Sequence, residues 1–333
     1  MIIKSLGSVS EPIFVIGMNG SGTTLLADCL GQHSGIYSFV HESKVLPYII
    51  DNLHKYGDLS QDAAFSDLWN DLVKIPAVSI QLANDLRKPD GWREWPRTLA
   101  GAIDGLFRYL GSMDGLEKNR WCEKTPMHAL HINKLSRVFP RAKFIHLIRD
   151  GRDCAASFHR RWRRSPELTI YQWRQLIKQA REQSKIAPQN YLEIKFEDFT
   201  DKPEEIMKFI CGWLLIEYEP ALLTVKNHGN KNFNFLKIEK NSRNWSFYFN
   251  EAKISLLEQI SGASLKENGY EVSIICDHDP AKWRRNMWLL SDYIRQLVSE
   301  TKEQVFGHPY RTWPMYFRYL TDAYRQVRSK REM

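Results

Sequence analysis

Residues 14–26 read FVIGMNGSGTTLL: an apolar run, a glycine-rich turn, then two threonines that open an amphipathic stretch. These residue types in this order suit the holding of a phosphate. Gly17, Gly20 and Gly22 allow a tight turn and a close approach of backbone to ligand, with no Cβ in the way. The amides of the turn and of the helix start then lie unpaired at the positive end of the helix dipole. Ser21, Thr23 and Thr24 add hydroxyls. Gly17 and Gly22 satisfy the first half of the G-x-x-x-x-G-K-[ST] nucleotide loop, but Thr23 stands where that motif needs its lysine. The loop is therefore expected to take a phosphate and is poorly equipped for ATP with magnesium. Read alone, Gly-Ser-Gly is also an ordinary strand-to-helix connection.

A second cluster lies in residues 143–158, KFIHLIRDGRDCAASF. The pattern predicts a strand ending at Arg149, a turn at Asp150 and Gly151, and a helix carrying Ser157. A guanidinium at a strand end presents a planar fork of donors suited to a phosphate. Ser157 follows eight residues on, about two helical turns, and reaches the same place from the helix side. On these residues alone, a structural ion pair between Arg149 and Asp150 is the competing reading.

The elements that must position these groups are legible as alternation. Four β-rich apolar runs (12–17, 35–40, 143–148 and 191–196) are separated by stretches of helical period. Leu25, Leu26, Cys29 and Leu30 mark one such stretch; Leu99, Ile103, Leu106, Phe107 and Leu110 mark another. This predicts an α/β fold, a P-loop-like parallel sheet flanked by helices. Ligands gather at the carboxyl ends of such strands, so Gly17 and Arg149 are expected to face one crevice. From residue 277 onward aromatic residues and arginines interleave, and two helices are expected, at about 280–305 and 312–330. The expected organisation is an α/β domain over 1–276 and a C-terminal helical extension over 277–333, packed on the core.

Composition narrows the partners without choosing one. A chain of 333 residues with 43% apolar and 26% charged residues is an ordinary soluble globule. Its net charge of +8 favours anionic partners. The five cysteines form no C-x-x-C pair and no metal spacing, which points to reduced thiols, a cytoplasmic setting and no metal site. The polar start of the chain does not read as a signal peptide, and no apolar run approaches the roughly 20 residues of a membrane span. Peripheral membrane contact through the C-terminal extension stays open. No nucleic-acid-binding module is recognisable, and no nucleic-acid partner is expected. Nothing in the sequence speaks to oligomeric state.

Taken together, SGTTLL near the N-terminus and strand-RDGR-helix-Ser about 125 residues later resemble the sulfotransferases that use 3′-phosphoadenosine 5′-phosphosulfate (PAPS). The similarity runs over roughly residues 12–272 and is closest to the branch of tyrosylprotein sulfotransferases and their bacterial relatives. It implies that Ser21, Gly22, Thr23 and Thr24 hold the 5′-phosphosulfate, with Gly20 in the same loop. Arg149 and Ser157 would hold the 3′-phosphate. Residues 40–47, VHESKVLP, resemble the segment that carries a glutamate general base, which implies that role for Glu42, with Lys44 two residues on. Residues 121–126, WCEKTP, resemble the segment whose lysine steadies the sulfuryl group, here Lys124. Residues 240–245, KNSRNW, resemble the segment that closes over the nucleotide, implying Ser242 and Arg243. His128 is the reserve base, since cytosolic members of the family place a histidine shortly after a lysine-threonine pair. His128 and His131 are expected on one face of a helix.

The implied reaction is an in-line displacement that moves a sulfuryl group from PAPS to an alcohol or phenol and releases adenosine 3′,5′-bisphosphate, with no metal required. By analogy with phosphoryl transfer, positioning and charge stabilisation carry it. In the family a basic residue usually precedes Ser-Gly-Thr-Thr; here that residue is Gly20, which removes one cation from the scissile bond. The rival readings are a P-loop kinase or NTPase and a sulfotransferase fold that binds nucleotide but turns over weakly. Arg160, Arg161, Arg163 and Arg164 continue the helix past Ser157, either as a solvated face or as a lure for an acidic acceptor.

Overall fold

A computed structural model describes residues 10–39, 41–82, 88–113, 118, 120–226, 235–239 and 242–304. Five strands, β1 (Ile13–Gly17), β2 (Ile36–Phe39), β3 (Arg120–Lys124), β4 (Lys143–Ile148) and β5 (Tyr191–Lys195), form one parallel sheet in the order β2-β3-β1-β4-β5. Every residue of β1 is buried, as befits the central strand of a sheet covered on both faces. Strand alternation sorts the core into two layers. Phe14, Ile16, Trp121 and Phe144 face one side, against the helices Leu99–Met113 and Pro166–Ser184. Ile13, Val15, Cys122, Ile145 and Leu147 face the other, against Thr23–Leu30 and Pro203–Leu214. Parallel pairing aligns the carboxyl ends. Val15 registers with Lys124, Gly17 with Leu147, and Phe39 with Glu123.

The sheet thus has five strands where the apolar runs predict four. The addition is β3, which lies between β2 and β1. Its sequence RWCEK lacks the apolar density of its neighbours, yet Glu123 is fully buried and Lys124 nearly so. The burial is tolerable because both charges meet partners at the carboxyl edge.

After the sheet the chain continues as the helix Glu251–Glu267 and then Lys282–Gln304, which agrees with the first helix expected in the extension. The latter docks on Pro166–Ser184: Arg285 donates to the Tyr171 hydroxyl, and Asp292 accepts from the Ser165 amide at 2.8 Å. The second helix expected there, at about 312–330, lies outside the described residues. No described helix is long and apolar enough to cross a membrane.

Candidate active site

The glycine loop turns where the strand-to-helix reading requires it. Gly20 and Gly22 have φ of 90° and 91°, the left-handed region that a side chain disfavours. Gly22 precedes the helix Thr23–Leu30 and offers no side-chain cap, so the first-turn amides have no such partner. Ser21 is buried, and its Oγ has no hydrogen-bond partner among the described residues. A buried hydroxyl of this kind beside free amides fits an anionic group that completes the set. Thr23 is buried and Thr24 exposed at the helix start.

Arg149 reaches this loop directly. Its Nη1 donates to the Gly20 carbonyl at 3.1 Å, and Nη2 pairs with Asp153, in the first turn of the following helix, at 3.6 Å. The guanidinium stands over the Phe196 ring at 4.4 Å. The same ring fills the space where a Cβ on Gly22 would fall, so Phe196 holds loop and arginine together. The ion pair weighed between Arg149 and Asp150 does not form. Asp150 instead takes the backbone amide, Nε and Nη2 of Arg152, whose Nη1 also pairs with Glu258 at 2.6 Å. Ser157 lies on the helix Gly151–Trp162 facing the loop: a Cβ on Gly20 would stand 3.3 Å from the Ser157 Cβ. The glycine loop and the Arg149–Ser157 motif therefore share one wall.

On the other side of β1, the residues that the resemblance implies meet as well. Lys124, at the end of β3, donates to Glu42 Oε1 at 3.0 Å, and Lys44 approaches Glu42 Oε2 at 3.3 Å. Glu42 keeps about a quarter of its side chain exposed, while Lys124 is nearly covered. One carboxylate thus lies between two ammonium groups, open on one side. Lys44 has φ of 51°, a left-handed conformation that costs a residue with a Cβ about 1–2 kcal/mol. It is held there by neighbours: the Lys44 amide donates to Thr125 Oγ1 at 3.3 Å, and the Ser43 amide and hydroxyl donate to Glu123 Oε1 at 3.0 and 2.9 Å.

His128 and His131 do not share a regular α-helical face. A short 3₁₀ turn, Pro126–Leu130, places His128 behind β3 with no exposed surface and with Nδ1 3.1 Å from Glu123 Oε2. Burial works to raise the Glu123 carboxyl, but the imidazole and the hydrogen bonds from Thr125 and Ser43 outweigh it and hold it below the ordinary range. His131 is also buried, and burial lowers it to about 3.

The late segment closes on the Arg149 side. Asp153 accepts from the Arg243 amide through Oδ2 and from the Trp245 amide through Oδ1, both at 2.9 Å. The Trp245 ring lies 3.8 Å from the Arg152 guanidinium carbon. Ser242 is partly exposed at the start of this segment, and the Arg243 side chain turns to Glu271 at 2.5 Å. Between segment and helix is a cavity of about 180 Å³ lined by Arg149, Ser157, Arg160, Asn244 and Tyr248, among others. Of the four-arginine run, Arg160 lines this cavity and Arg164 pairs with Asp292 at 3.8 Å.

Sequence reasoning missed Asp153, Glu123, Asn244 and Tyr248. Asp153 was the most accessible of these, because it lies in the first turn of the helix that directly follows Arg149. Glu123 sits beside Lys124 within WCEKTP, but nothing local reveals that its partners come from residue 43.

A profile of the sulfotransferase family matches residues 12–220. A protein-tyrosine sulfotransferase of Caenorhabditis briggsae, itself described as putative, is 25% identical over 225 residues, 66% of this chain and 70% of its own length. Protein-tyrosine sulfotransferase 1 of Danio rerio is 24% identical over 221 residues, 63% of this chain and 55% of its own length. The omega-hydroxy-beta-dihydromenaquinone-9 sulfotransferase Stf3 of Mycobacterium tuberculosis is 28% identical over 166 residues, 42% of each chain. Among solved structures, the sulfotransferase domain of the Synechococcus PCC 7002 olefin synthase superposes with a TM-score of 0.51 at 19% identity, covering 82% of this chain and 99% of that one, a likeness of fold. The profile takes in all five strands, the glycine loop, the Arg149–Ser157 motif and the Glu42–Lys124 junction, and on that match the chain belongs to the sulfotransferase family.

Proposed function

We propose that the chain moves the sulfuryl group of PAPS to the hydroxyl of an alcohol or phenol and releases adenosine 3′,5′-bisphosphate. The observation that carries this reading is the junction of Glu42, Lys44 and Lys124 at the carboxyl ends of β2 and β3, beside a phosphate loop on β1. PAPS supplies an activated sulfuryl group: the acceptor oxygen forms a bond to sulfur as the sulfur–oxygen bond to the 5′-phosphate breaks. Glu42 takes the proton of the acceptor hydroxyl. Lys124 stabilises charge on the sulfuryl oxygens and on the leaving phosphate, together with the amides of the glycine loop. Ser21, Thr23 and Thr24 hold the 5′ end; Arg149 and Ser157 hold the 3′-phosphate; Ser242 and Arg243 belong to the strap that covers that side. The acceptors named for the relatives, protein tyrosine and an omega-hydroxy menaquinone, are both hydroxyl compounds, which supports the same chemistry here.

The test is calorimetric titration of adenosine 3′,5′-bisphosphate into the folded chain. Saturable binding in the micromolar range or tighter is the expected result. No binding by demonstrably folded protein overturns the reading.

A further inference from the structure

We propose that Glu123, clamped by His128, is a positioning residue for the proton acceptor: it fixes residues 42–44 so that the Glu42 carboxylate stands on Lys124. The inference rests on the role given to Glu42 above and adds a residue to it.

Strand alternation puts the two charges of β3 on opposite faces. Lys124 turns toward Glu42, whereas Glu123 lies on the Trp121 face with no exposed surface. A buried carboxylate needs donors, and this one has four. Oε1 accepts from the Ser43 amide, the Ser43 hydroxyl and the Thr125 hydroxyl, and Oε2 faces His128 Nδ1. Two of the four come from Ser43, the residue between Glu42 and Lys44. Thr125 is held by Glu123 at 2.5 Å and in turn accepts from the Lys44 amide. The left-handed Lys44 backbone is thus anchored on both sides by a network that converges on one carboxylate.

His128 completes the clamp. Its Nε2 has no hydrogen-bond partner among the described residues, so the ring's polar contact there is the one to Glu123. That contact orients Oε2 and leaves Oε1 aimed at residue 43. The arrangement gives this histidine work that needs no access to substrate.

The test is a double-mutant cycle on the full chain with Glu123→Gln and Glu42→Gln, using PAPS with 4-nitrophenol as the probe acceptor and adenosine 3′,5′-bisphosphate for binding. Alone, Glu123→Gln is expected to lower kcat about tenfold or more and to move the bisphosphate Kd by less than about twofold. In the Glu42→Gln background it should cost almost nothing further, because its effect passes through Glu42. An additive loss, or an unchanged kcat in Glu123→Gln, overturns the proposal. Hydrogen exchange gives a readout free of turnover. Amides 43–45 should exchange faster in Glu123→Gln while amides 18–24 keep their rates; equal loss of protection everywhere, or none, overturns it. If Glu123→Gln does not fold, Ser43→Ala decides by the same two readouts. Wild-type protein that neither binds the bisphosphate nor turns over would sink the sulfotransfer reading, while the exchange pattern would still decide the anchor.

Discussion

On the β1–β4 side of the carboxyl edge, the candidate site is made of two motifs, each short-range in sequence, that the pairing of β1 with β4 brings together. Gly20, Ser21 and Gly22 are consecutive, and Arg149 and Ser157 are two turns apart on one strand-helix unit. On the β2–β3 side, Glu42 hangs from the loop after β2 and Lys124 from the end of β3, 82 residues away, and they meet only because those strands pair. The first half is built mainly from backbone conformation; the second from a buried carboxylate that holds a left-handed loop. On the proposed reading, anchorage of nucleotide and acquisition of a proton acceptor are thus separate pieces of construction that share β1. Changes on one side should move binding, and changes on the other should move turnover.

The largest effect expected of this division is at Lys124. Lys124→Met removes a nearly covered cation that the proposed reading puts beside the reacting centre, and kcat should fall by about 10²- to 10³-fold, the usual cost of losing one preorganised stabiliser. Affinity for adenosine 3′,5′-bisphosphate, measured by calorimetry, should change far less. A parallel collapse of affinity would break the division. Glu42→Gln should lower kcat by about 10²-fold or more with the same silence in nucleotide binding, since a positioned base contributes on that scale.

The reverse pattern belongs to Arg149. Arg149→Ala should weaken the bisphosphate by about 1.5–3 kcal/mol, the worth of a charge-assisted contact, which is about 10- to 150-fold in Kd. Saturating nucleotide should restore most of kcat. If affinity is unchanged, the 3′-phosphate lies elsewhere and the Arg149 side loses its role.

A fourth experiment probes the sheet the two halves share. His146 on β4 is fully buried, and burial holds its pKa down at about 4, whereas an unfolded histidine titrates near 6.5. Between those values the unfolded chain binds the extra proton, so stability is fully present above pH 6.5 and is lost as pH falls toward 4. For this shift the loss between pH 7 and pH 5 is about 2 kcal/mol. His146→Gln, which cannot take the proton, should reduce the drop in denaturant midpoint over that range; Tyr191 retains its own bond to Glu193 at 2.8 Å. An unaltered pH slope would mean that another group, with His131 the first candidate, carries the acid sensitivity.

How much of this was legible follows the same line. The glycine loop and the RDGR helix announce themselves because each needs a particular backbone or helical spacing that residue types reveal. The fold class follows from alternation. But β3 is not among the four apolar runs, since its strand identity depends on neighbours that bury Trp121 and supply donors to Glu123. The place of His128 was equally hidden. Spacing puts it near a lysine-threonine pair, but only the turn of Pro126–Leu130 directs it inward to Glu123. Within RDGRD, the residue types name charged groups without their pairing: Asp150 takes Arg152, and Asp153 takes both Arg149 and the backbone of the 243–245 segment. Local rules find sites made locally, and pairing across the sheet makes the rest.

The smallest expected effect sharpens the comparison at the point where the chain departs from its family's pattern. The absent basic residue at position 20 would have placed a second cation on the loop side, making the halves more alike. Gly20 has φ of 90°, and a Cβ there would stand 3.3 Å from the Ser157 Cβ and 3.4 Å from the Cys154 carbonyl. A side chain at this position therefore starts out toward the helix that carries Ser157. Gly20→Ala should cost about 1 kcal/mol in denaturant unfolding, from the left-handed backbone and the tight contact together. Gly20→Arg should carry the same penalty, crowd Ser157 and weaken bisphosphate binding without raising kcat. A gain in kcat would show instead that the loop can present a guanidinium toward Lys124, and that the cation missing from the first half is what limits the second.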